Sequence, residues 1–180
     1  MAVRLARAGD VERIKLLAES LRFDPTDPKP GALVAVLNRE EYLARIEGSR
    51  YFYVDVDEGG LNGFLMCEDD GVVDALFRRG LFHHEEMLPF FAKQKRPFVY
   101  GESVGIKKGK QRRGIGRALM DKWFGDMLSN GIKRAYVMVR HEPCRNTPSI
   151  EFCREFGFRY TGEEVEREGI VHGVYERVFD

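Results

Sequence analysis

Cysteine is scarce in this chain, net charge is absent and no long apolar run occurs. The 180 residues include three cysteines, Cys67, Cys144 and Cys153, and no Cys-x-x-Cys pair. An odd, scattered set of this kind fits neither a disulfide framework nor a zinc ribbon. Lys plus Arg and Asp plus Glu both number 29, so the formal net charge is zero. The basic surplus of a nucleic-acid binder is therefore missing, and an anionic membrane surface is not an evident partner. No apolar run approaches the roughly 18–20 residues that cross a bilayer. Met1-Ala2-Val3-Arg4-Leu5 leads straight into mixed charge, without a secretory apolar segment. Repeats and low-complexity linkers are also lacking. These absences predict a cytoplasmic protein with no nucleic-acid or membrane partner. The remaining composition, 43% hydrophobic and 32% charged, suits one domain spanning residues 1–180.

Short apolar runs alternate with amphipathic stretches. Val3 to Leu5 reads as a first strand, and Asp10 stands where an N-cap belongs before Val11, Ile14, Leu17, Ala18 and Leu21 at helical spacing. Residues 23–31 hold three prolines and read as a loop. Asn38 and Glu41 have capping-box spacing, Leu37 and Tyr42 staple spacing, and the helix they open should stop at Gly48. Residues 51–56 and 61–67 read as a hairpin. Residues 68–97 form an insertion expected to be irregular and partly helical, opening with a turn at 68–71. A strand over 98–106, a helix over 114–129 and a doubly buried strand over 135–139 follow. Next come a short helix capped by Thr147 with Pro148 in its first turn, a stop at Gly157, and one final strand over 170–179. The order predicts an α/β (α+β) fold, with a single mixed sheet and helices on its faces.

The chemistry concentrates between Val104 and Met120, where a strand runs through a basic, glycine-containing loop into a helix. A helix N-terminus offers unpaired amides and about half a positive charge. Gly114 and Gly116 keep side chains away from those amides, and Arg112, Arg113 and Arg117 add donors. An anion, a diphosphate first of all, is the ligand these features fit. A glycine-eased turn with solvated basic residues is the alternative. The Walker pattern fails here, because only three residues separate Gly105 from Gly109-Lys110 and Gln111 follows. The dinucleotide fingerprint fails as well, because Leu119 stands where its third glycine belongs.

Gln111-Arg112-Arg113-Gly114-Ile115-Gly116 resembles the Q/R-x-x-G-x-G/A signature of the GNAT superfamily of acyl-CoA-dependent N-acyltransferases. Asn146-x-x-Ser149-x-x-Phe152-Cys153-x-x-Phe156-Gly157-Phe158 resembles that family's second segment, so the likeness by motif covers about residues 98–160. The resemblance implies acetyl-CoA as acyl-donor co-substrate, with its pyrophosphate on the backbone from Arg112 through Gly114, Ile115 and Gly116 to Arg117. It further implies that Val104, Gly105 and Ile106 run beside the pantetheine arm as if it were another strand, and that Asn146 touches the coenzyme from the far side. That arrangement requires the 98–106 strand to diverge from the 132–139 strand. The implied activity is N-acetyl transfer to an amine of a small molecule or peptide, by direct transfer in a ternary complex. The alternative is an acyl-CoA-binding module of the same fold with little catalysis. A homodimer is compatible with either.

An alkylammonium, near pKa 10.4, must lose a proton before it attacks. Glu102 is the candidate base, four residues before Ile106, and strict alternation would set it on one face with Tyr100, Val104 and Ile106. A glutamate on a solvated strand face is the competing reading, and His141 and Glu142 are weaker candidates. The family's tyrosine acid is replaced here by Cys153, which could donate a proton or simply pack. Tyr160 and Tyr175 are possible substitutes. His83-His84-Glu85-Glu86 lacks ligand spacing, so no metal is expected.

Overall fold

A capping box opens the second helix as its sequence predicts. The Glu41 amide donates to Asn38 Oδ1 at 3.1 Å and the Asn38 amide to Glu41 Oε2 at 2.5 Å, starting α2 (Arg39–Gly48). The first helix, α1 (Val11–Ser20), starts differently. Asp10 turns its carboxylate back to the Arg7 amide at 2.9 Å and to the Arg4 guanidinium, tying a 3-10 turn to β1 (Ala2–Leu5) instead of capping α1. The computed structural model describes every residue except 1, 25, 27–30, 32, 34, 35 and 83. Much of the expected 23–31 loop and the His83 position thus lie outside the described residues.

The predicted hairpin is β2 (Tyr51–Asp57) with β3 (Gly60–Asp69). Residues 68–71 run from the end of β3 directly into a helix and form no turn. Asp69 Oδ1 accepts the Val72 amide at 2.9 Å and caps α3 (Asp70–Arg78), which buries Val73 and Leu76. A 3-10 turn (Glu85–Met87) and the one-turn α4 (Leu88–Phe91) follow. After β4 (Val99–Ile106) come α5 (Ile115–Ser129), β5 (Arg134–Glu142) and α6 (Thr147–Glu155). The cap of α6 is Asn146, whose Oδ1 accepts the Ser149 amide, and Thr147 is already helical.

The predicted final strand is two strands, β6 (Arg159–Arg167) and β7 (Ile170–Val178). They are joined at Glu168-Gly169, both with positive φ (52 and 77°), as a tight hairpin turn requires. β6 escapes periodicity because it is the sheet edge: its charged side chains face water on both sides.

The seven strands lie in the order β1-β2-β3-β4-β5-β7-β6. β4 and β5 are parallel, all other neighbours antiparallel, and β4 meets β5 only at Val99, Tyr100 and Gly101. Beyond Gly101 the two strands part, as the coenzyme reading requires. One apolar layer, around Trp123, packs α5 and α6 on one face. The other face carries α1 and α2 over β2 and β3, and the 70–97 segment with Phe82, Phe90 and Phe91 over β4, β5 and β7.

Alternation along β4 breaks at Glu102. Met66 pairs with Ser103 and Cys67 with Gly101, so Glu102 is the extra residue of a β-bulge. Below the bulge Tyr100 lies on the α2 side. Above it Val104 and Ile106 pack into the α5 layer. The expectation that Glu102 shares one face with Val104 and Ile106 is thereby corrected: it turns towards α2.

Candidate active site

The outer part of the site is a groove between the N-terminal ends of α5 and α6. Gly114 takes a left-handed φ of 81° as N-cap of α5, and Arg112 is also left-handed at 59°. The first intrahelical bond runs from the Ala118 amide to the Gly114 carbonyl, which leaves the amides of Ile115, Gly116 and Arg117 outside the helical ladder. Gly116 is needed sterically too, since a Cβ there would stand 3.0 Å from the Phe152 ring. Gln111, Arg112, Gly114, Ile115 and Gly116 line this groove, with Val104 and Ile106 towards the sheet. Arg113 is exposed and outside the lining. Arg117 lines the groove but its guanidinium is ion-paired with Glu155 of α6 and lies 5.2 Å over the Phe156 ring. Gly105 faces away, packed so closely on Phe64 that a Cβ would sit 2.5 Å from it. Glu151 and Glu155 give the far wall an acidic character that the motif does not announce.

The inner part lies where β4 and β5 part. Its walls include Trp123, Val137, Val139, Phe152 and Cys153, and its polar members include His84, Glu102, Arg140, Asn146 and His172. Asn146 is occupied by structure, since its Oδ1 accepts both the Ser149 amide and, at 2.9 Å, the Gly31 amide. Cys153 does stand in this pocket, but burial pushes its thiol up to about 12. A thiolate departing from a thioester, near the ordinary thiol value of about 8.5, is a weaker base than that. Its position matches the expected acid, and burial disfavours the Cys153 thiolate that proton donation would leave behind.

Glu102 is held rather than solvated. Its Oε2 accepts Arg45 Nε at 2.6 Å and its Oε1 accepts Arg45 Nη2 at 2.9 Å, a two-pronged bond with both side chains buried. Burial opposes its charge, yet Arg45 and His84 together outweigh that and hold the carboxyl well below the usual range. Glu68 lies behind the pair, 3.7 Å from Arg45 Nε, and neither of its oxygens is hydrogen-bonded. Burial first, and the Glu102 charge second, push Glu68 well above the usual range and favour its neutral form. His172 stays neutral, its pKa lowered to about 4 chiefly by burial.

The weaker base candidates sit elsewhere. His141 bonds Glu164 through Nδ1 at 2.8 Å and the Tyr175 hydroxyl through Nε2 at 3.0 Å, outside the pocket lining. Tyr175 is thereby committed, Tyr160 is 43% exposed beside it, and Glu142 is exposed. Sequence reasoning missed Arg45, Glu68 and His172. Arg45 carried a signal, because it falls on the buried stripe of α2 with Tyr42 and Ala44, where a cation needs a partner. Among the described residues no His, Cys, Asp or Glu group is arranged to hold a metal. Among them, too, no helix is long and apolar enough to cross a membrane.

A mixed sheet opened between two parallel strands, with a bare helix N-terminus at its mouth, defines a class of acyltransferase fold. The profile of the Acetyltransferase (GNAT) family matches residues 14–158, and the chain belongs to that family. No curated protein matches the chain. Its fold is similar to Ard1 from Thermoplasma volcanium, at 16% identity over 99% of this chain and 97% of that one, TM-score 0.71. It is similar to Arabidopsis thaliana Naa50 in complex with the bisubstrate analogue CoA-Ac-MVNAL, at 16% identity, 99% and 98% coverage and TM-score 0.69. It also resembles yncA from Salmonella typhimurium with its cofactor acetyl-CoA, at 16% identity, 100% and 94% coverage and TM-score 0.66.

Proposed function

We propose that the protein transfers an acetyl group from acetyl-CoA to an amine, with donor and acceptor bound together. The observation that carries this reading is the parting of β4 from β5 after Gly101, with the free amides of α5 at the outer end of the opening. A diphosphate suits amides 115–117, and a strand-like pantetheine arm suits the unpaired edge of β4 from Glu102 to Ile106. The inner pocket then receives the thioester, with the amine arriving beside Glu102. Solved relatives bound to acetyl-CoA or to a bisubstrate analogue support the same reading. Both small-molecule amines and peptide α-amines suit the opening.

Non-catalytic acyl-CoA binding is the second reading, favoured by the reluctant Cys153 thiol where the resemblance implies an acid. Thiol release from acetyl-CoA, measured with spermidine, tyramine, an amino-acid amide and a pentapeptide bearing a free α-amine, separates the two. Release above background with any of them supports transfer. Acetyl-CoA binding without release supports the binding module. Acetyl-CoA at about 100 times its Kd should also stabilise the fold by about 2.7 kcal/mol, read as a rise in Tm. An unchanged Tm at saturation would overturn both readings.

A further inference from the structure

His84 reaches the inner pocket from the segment between α3 and α4, far in sequence from either motif. Its residue is only 7% exposed, and the ring stands between two carboxylates. Nε2 lies 3.5 Å from Glu102 Oε1 and Nδ1 lies 3.7 Å from Glu86 Oε1. Phe82 and Tyr100 approach the ring edge-on, with centroids at 5.8 and 6.3 Å. Buried Nδ1 makes no hydrogen bond, so what it meets at Glu86 is charge, while Nε2 faces Glu102. Glu102 on its own is a poor proton acceptor, because Arg45 already neutralises it from the other side.

We propose that Glu102 and His84 form one proton-accepting pair: Glu102 takes the ammonium proton of the acceptor and passes it to His84, where it rests during acetyl transfer. This rests on the reading that an amine enters beside Glu102. The protons balance. The ammonium gives one to a Glu102 oxygen, and its transfer to His84 Nε2 restores the carboxylate and leaves an imidazolium. The freed nitrogen lone pair forms the C–N bond, the C–S bond breaks with its electron pair on sulfur, and the second nitrogen proton goes to that sulfur. His84 later returns its proton to solvent. An acid at position 153 is not needed in this sequence.

The surroundings of His84 favour its protonated form. Burial opposes the charge, and Glu102 and Glu86 outweigh it, so the ring titrates above its ordinary value of about 6.5. From β7 the neutral His172 faces it, from β4 the un-ionised Tyr100, and from behind Glu102 the Arg45 cation of α2 and the protonated Glu68 of β3. Arg167 of β6 and Arg140 of β5 add cationic charge near Glu86 and His172 respectively.

The pH dependence of kcat/KM, measured with whichever amine of the panel above is turned over, tests the pair. In the parent the rate should fall as pH drops through a midpoint above about 6.5. In His84→Gln that limb should shift to lower pH and kcat should drop about 100-fold, with KM for acetyl-CoA unchanged. A limb at the parent's position in His84→Gln overturns the pairing while leaving acetyl transfer standing. Should His84→Gln fail to fold, ring-carbon NMR of the parent and of Glu86→Gln decides. A His84 midpoint above about 6.5 that falls in Glu86→Gln supports the pair, and a midpoint at or below that value, or one that Glu86→Gln does not lower, overturns it. No turnover of any amine by the parent, with acetyl-CoA bound, removes acetyl transfer and the pair together.

Discussion

Arg45 answers for more buried charge than any other residue of the site. Its guanidinium meets Glu102 with two bonds, reaches the carbonyls of Glu41 and Leu81 with Nη1, and lies near Glu68. Removing one partner from a buried pair leaves the other uncompensated, so Arg45→Met should destabilise the protein by about 3–5 kcal/mol in a denaturant titration. Glu68 behaves oppositely. Its folded pKa is raised, so it adds stability below the unfolded value of about 4.3 and loses it as pH rises towards the folded value. Glu68→Gln, which imitates the protonated form, should have the higher Tm at pH 7, with the difference closing towards pH 4. Equal Tm curves across that range would show that Glu68 is ionised in the folded protein. Gly116→Glu should abolish acetyl-CoA binding by calorimetry, because a carboxylate would stand among amides 115–117 and its Cβ would press on Phe152.

At the scale of elements, local rules carried most of the reading. The Asn38–Glu41 box gives α2 its start, and Asn38→Ala should lower stability by about 1 kcal/mol in urea unfolding. The glycine-rich turn into α5 was equally legible, because a left-handed glycine cap and the helix after it are written in contiguous residues. Three elements were not. Asp69 reads as a turn residue and is the cap of α3, since caps and turns draw on the same residue types. β6 lacks alternation because it is an edge strand that stays exposed along most of its length. The bulge at Glu102 is set by pairing with β3 across a long sequence separation, and no local pattern records it. That single extra residue decides which face the carboxylate takes, so the neighbours of Glu102, namely Arg45, Glu68 and His84, could not be read from the sequence.

On the scale of the whole molecule, the sheet consists of β1–β4 and β5–β7 joined along a very short parallel seam. If acetyl-CoA lies against β4 as proposed, hydrogen exchange should slow at residues 102–106 and 114–117 on adding it. Exchange in β1 and β2 should hardly change. Protection confined to other segments would move the ligand elsewhere. The seam also bears on how the chain is held together. Backbone continuity from one half to the other passes through the rungs at Val99, Tyr100 and Gly101, reinforced by Trp123 on one side and the phenylalanines of 82, 90 and 91 on the other. A ligand lying strand-like in the gap, as proposed, would lengthen that ladder and act as a splice between the two half-sheets.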